Sequence, residues 1–62
     1  MDSLEYIQKL IFKTNTLIDS SEYDLRTNSQ YYKKADIDKV VARRDELFAE
    51  LNCLIEIEEL LQ

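Results

Sequence analysis

Positions Ile37, Val40, Val41, Arg44, Leu47, Phe48, Leu51, Leu54, Ile55, Glu58 and Leu61 follow an i, i+3, i+4, i+7 pattern, and only Arg44 and Glu58 among them carry charge. That period belongs to a helix and predicts one long amphipathic helix over about 37–61, with Asp36 as its N-cap and Asp38 in its first turn. It would be about 39 Å long at 1.5 Å per residue. A weaker stripe precedes it. Leu4, Ile7, Leu10, Ile11, Leu17, Ile18 and Leu25 share one face, which Thr14 and Ser21 complete with small polar groups. This predicts a first helix over about 3–26, opened by Asp2 and Glu5 at capping-box spacing. The stripe thins toward its C-terminal half, and Phe12 points almost directly away from it.

Between the stripes, Thr27-Asn28-Ser29-Gln30 reads as a break, because these side chains compete for backbone hydrogen bonds. A connection over about 27–35 joins two helices into an antiparallel hairpin. The predicted fold is therefore all-α, a single helical-hairpin domain over 1–62.

The second helix has another apolar line. Ala42, Ala49, Cys53, Ile57 and Leu60 align on the side opposite the main stripe, edged by Glu46 and Glu50 on one flank and Asp45 and Glu56 on the other. A helix apolar on two faces needs two covers, and the first helix supplies one. A second copy of the chain is the expected other, giving a homodimeric four-helix bundle or antiparallel coiled coil. The expected oligomer interface comprises Val41, Arg44, Leu47, Phe48, Leu51, Leu54, Ile55 and Glu58 with Ala42, Ala49, Cys53, Ile57 and Leu60. Arg44 and Glu58 sit fourteen residues apart, at equivalent heptad positions. If two copies of the helix pack antiparallel about Leu51, Arg44 of one faces Glu58 of the other. A competing arrangement is internal: with the turn near Gln30 to Tyr32, Arg44 faces Asp19, and Glu58 lies near Tyr6 and Lys9. Spacing does not separate the two.

Composition sharpens the need for a partner. A 62-residue chain buries only about 60% of the surface it exposes when unfolded. One cysteine and no histidine leave it without an internal disulfide and with no zinc-site pattern. The absence of glycine and proline argues for few turns and long helices, since tight β-turns call on both. Met1-Asp2-Ser3-Leu4-Glu5 has neither the basic start nor the apolar core of a signal peptide. No run of about 20 apolar residues is present to span a membrane. With a lone thiol, these features give the expectation of a reducing, cytoplasmic location.

The net charge of −5 is unevenly spread. Residues 1–25 hold five acids and two lysines, residues 26–44 six bases and two acids, and residues 45–62 six acids and no base. The second helix thus carries bases early and acids late, which opposes its own macrodipole.

Candidate chemistry is sparse. Without histidine the commonest general base is missing, and Cys53 has no activating neighbour in the pattern. Glu56, Glu58 and Glu59 project in different directions from one helix, and no glycine-bearing calcium or phosphate loop exists. The expectation is a non-enzyme with no catalytic, cofactor or metal residues. The candidates that remain are for partner binding. Phe12 is an outward aromatic of the kind that anchors interfaces. Tyr31, Tyr32, Lys33 and Lys34, with Arg43, form an aromatic and basic cluster that either seals the turn or meets a partner. Such clusters also bind nucleic acid, although the chain as a whole is acidic, so a nucleic-acid-binding regulator is the rival reading and a structural coiled-coil component a third. In size and composition the chain resembles the small accessory proteins of phages and mobile elements. That resemblance implies inhibition of a host factor, with the C-terminal acids mimicking nucleic acid. The expected function is a small acidic interaction module that binds itself and a larger protein, as inhibitor or adaptor.

Overall fold

The computed structural model describes residues 2–62. Helix α1 runs from Ser3 to Asn28 and helix α2 from Lys34 to Leu61, with a 3-10 turn at Ser29–Tyr31 between them. The two helices pack along their length as an antiparallel hairpin, and the described residues contain no strand. At 1.5 Å per residue the 28 residues of α2 span about 42 Å, which matches the 43 Å long axis of the molecule.

Asp2 caps α1: its Oδ1 accepts from the Glu5 N–H at 2.7 Å, satisfying one of the helix's orphan donors. At the other end, Thr27 and Asn28 continue the helix where a break was expected. Both side chains look backward for acceptors rather than to their own backbone. The Thr27 hydroxyl donates to the Tyr23 carbonyl at 2.8 Å, and the Asn28 amide to Asp24 Oδ1 at 2.8 Å. Bonded one turn back, these side chains do not break the helix, although back-bonding by a threonine bends and slightly weakens it. The connection is correspondingly shorter than predicted. Helix α2 also starts earlier than its expected cap: Lys33 holds the N-cap position without a side-chain bond, and Asp36 lies in the first turn. The N–H groups of Asp36 and Ile37 donate to the Lys33 carbonyl at 3.0 and 3.1 Å.

Burial follows both predicted stripes, but thinly. Ile18 and Leu47 are 3% and 1% exposed, and Thr14 is the one buried polar residue among those described. Ile37, Val40, Val41, Arg44, Leu51, Leu54, Ile55 and Glu58 are half-buried, while Phe48 and Leu61 at the margins remain exposed. The radius of gyration, 14.2 Å, exceeds the roughly 11 Å of a compact domain of this length. The accessible surface of 4790 Å² likewise exceeds the roughly 4200 Å² of a globular monomer of this mass. Two helices side by side have no third element to close over them.

Candidate interaction surfaces

The connection is tied down by one acidic side chain. Asp24 Oδ1 accepts from the Asn28 amide and from the Tyr32 hydroxyl, the latter at 2.7 Å. Tyr32 thereby ties the start of the return strand of the hairpin to α1, two residues before α2 begins. These bonds act on the pKa values in opposite directions. The Asn28 and Tyr32 donors hold the Asp24 carboxyl below its ordinary value, and the Asp24 carboxylate raises the Tyr32 phenol above its own. Spacing alone had grouped Tyr32 with the partner-binding residues. The signal that could have placed it was the Asp24–Asn28 i, i+4 pair, which puts an acceptor one turn before the helix end.

The other members of that cluster are open. Tyr31 is 77% exposed, and Lys33, Lys34 and Arg43 are exposed. Arg43 pairs with Glu46 on its own helix at 3.5 Å. Phe12 is 75% exposed on the outward side of α1, as its phase required.

Arg44 does not make the intrachain contact expected of it. Its guanidinium meets Asp45 at 3.5 Å, and among the described residues it forms no ion pair with Asp19. Lys9 pairs with Glu5 at 3.8 Å rather than reaching Glu58. The Arg44 Nε is buried without a hydrogen-bond partner. The aliphatic stem lies in the stripe while the head turns sideways, an arrangement that long side chains adopt at an apolar margin.

Leu47, expected at an interface between two copies of α2, is the most buried side chain of the hairpin itself. Helix α1 occupies the stripe that the Leu51-centred pairing of Arg44 with Glu58 would need. That register is therefore available only to a hairpin that has opened.

Two apolar surfaces remain after the hairpin has formed. On the back of α2, Ala42, Ala49, Cys53 and Leu60 are all exposed, Leu60 by 84%, and Ile57, also exposed, stands at the edge of that line toward the cleft side. On one side of the hairpin a shallow cleft of about 360 Å³ opens between the helices, lined by Leu17, Ser20, Ser21 and Asp24 of α1 and Val40, Arg43 and Leu47 of α2. It lies where the α1 stripe runs out of large side chains: two adjacent serines leave the space that a leucine would fill. Among the described residues no group of three His, Cys, Asp or Glu side chains could hold a metal ion, and no helix is long and apolar enough to cross a membrane.

No protein-family model matches the chain, and no curated protein or solved structure matches it either.

Proposed function

We propose that this chain is a small, acidic, non-enzymatic interaction module that pairs with itself and docks on a larger protein, modulating it as an inhibitor or adaptor. The observation that carries this reading is the imbalance between core and surface. Among the described residues only Ile18 and Leu47 are buried apolar side chains, whereas Tyr6, Phe12, Leu17, Tyr23, Tyr31, Phe48, Ile57, Leu60 and Leu61 are 40% exposed or more. Isolated exposed apolar residues need no explanation. An apolar inventory of which two described side chains are buried and the others are half-buried or exposed, on a chain with no staple, points to surfaces that are covered in the working state.

The test is affinity capture from the native host lysate with the wild-type chain, Phe12→Ala and Ile57→Glu. A protein retained by the wild type and lost from either variant supports docking. Equal recovery on all three overturns it.

A second reading rests on the turn, where exposed Tyr31 stands beside exposed Lys33 and Lys34. This pattern suits an aromatic platform with phosphate contacts. Under it, a mobility-shift assay at low salt shows binding that weakens steeply as salt rises.

A further inference from the structure

We infer that the cleft side of the hairpin is the seat of a second copy of this chain, set with its turn at the same end as the first. This rests on the homodimer reading above and specifies the face that carries it.

The cleft places Leu17 of α1 at the height of Leu47 of α2, and Asp24 at the height of Val40 and Arg43. Carried along antiparallel helices at three- and four-residue spacing, the same register sets Lys13 level with Glu50. It sets Tyr6 level with Ile57, with Leu10 one turn away toward the hairpin turn and Leu61 one turn away toward the open end. The two rims of this side therefore read as complements at equal height. From the open end to the turn, the α1 rim is apolar at Tyr6 and Leu10, basic at Lys13, apolar at Leu17 and acidic at Asp24. The α2 rim is apolar at Leu61 and Ile57, acidic at Glu50 and basic at Arg43. Tyr6, Ile57 and Leu61 are 54%, 42% and 43% exposed, and Leu17 is 40% exposed.

A two-fold axis parallel to the long axis lays the α1 rim of each copy on the α2 rim of the other. Lys13 then meets Glu50, Asp24 meets Arg43, and the apolar residues of the open end meet one another, each contact occurring twice. The end-for-end alternative fails on charge. It lays α2 on α2, and Glu46 and Glu50 near mid-helix would crowd their own copies about the dyad; like charges so juxtaposed disfavour a pairing. The area is adequate. A side 43 Å long and 15 Å wide projects about 650 Å², and side-chain relief brings it near the roughly 800 Å² per partner of a stable interface. Leu17 of the second copy sits over the cleft that the serines leave open.

Sedimentation equilibrium of the full chain tests this, with far-UV circular dichroism to confirm folding. Leu17→Glu and Ile57→Glu should each raise the dimer Kd by about 30-fold, the loss expected at an interface centre. Lys13→Glu and Glu50→Lys, both at exposed positions, should each raise it about tenfold, and the double variant should restore it. If the wild type dimerises and these four variants stay within about twofold of it, while Phe48→Glu or Leu60→Glu dissociates the dimer, the face is wrong and the homodimer survives. A wild type that stays monomeric throughout overturns the homodimer reading and this face with it.

Discussion

Leu47→Ala is the sharpest test of how this hairpin holds together. Leu47 is 1% exposed and is the largest fully buried side chain described. Truncation removes its transfer free energy and leaves space behind, a loss that ranges over about 2–5 kcal/mol for buried leucines. Here the space joins the open cleft that Leu47 already lines, so water fills it and no sealed void forms. The expected loss is therefore at the lower end, about 2–3 kcal/mol. A 62-residue domain has a total stability of about 3–9 kcal/mol, so this is about a fifth of it or more. The matching fall in Tm is about 10–20 °C. Thermal and urea unfolding followed at 222 nm, at one fixed protein concentration, measures both. Leu60→Ala, at a position 84% exposed, is the control and should change stability by no more than about 0.5 kcal/mol. If Leu47→Ala costs no more than Leu60→Ala, α1 does not cover the main stripe and the packing argument fails.

Three further outcomes follow from the local geometry. Asp2→Ala removes the side-chain acceptor of the α1 cap and should cost about 1 kcal/mol, read as earlier fraying of residues 3–6 in amide hydrogen exchange. Because the folded Asp24 pKa lies below its ordinary 3.8, the contribution of this carboxylate is present above that value and lost as pH falls through the folded pKa. The Tyr32 pKa is raised above 10.0, so its contribution is present below that value and lost as pH rises through the folded pKa. In an ultraviolet titration, one of the four tyrosines should ionise later than the rest, and Asp24→Ala should shorten that lag. Arg44→Met removes the buried, unpartnered Nε together with the surface contact to Asp45 while keeping the apolar stem, so stability should hold or rise by about 1 kcal/mol in urea unfolding; a clear loss would show that the contact to Asp45 outweighs the unpaired Nε.

Much of the architecture was legible because it depends on periodicity. The i, i+3, i+4 spacing from Ile37 to Leu61 gave the face that α2 turns to α1, and the phase of Phe12 gave its outward aim. The boundaries were less legible, since they depend on which acceptor a polar side chain finds. Thr27 and Asn28 could have broken the helix, yet the Tyr23 carbonyl and the Asp24 carboxylate lie one turn back and hold them in it. The same acceptor claims Tyr32, eight residues on, a contact that the Asp24–Asn28 spacing hints at but does not fix. Arg44 shows the opposite failure. Its place in the stripe was read correctly, but a neighbour on its own helix outcompetes Asp19 across the groove, a choice set by side-chain reach rather than by spacing.

The most direct test of the account is the mass of the wild-type chain in solution. A hairpin this thinly cored, with apolar rims that complement one another, should pair at micromolar concentration. Sedimentation equilibrium should then return a mass rising with concentration from 7.4 kDa to twice that value and no further. A single well-folded species at 7.4 kDa across that range would contradict it.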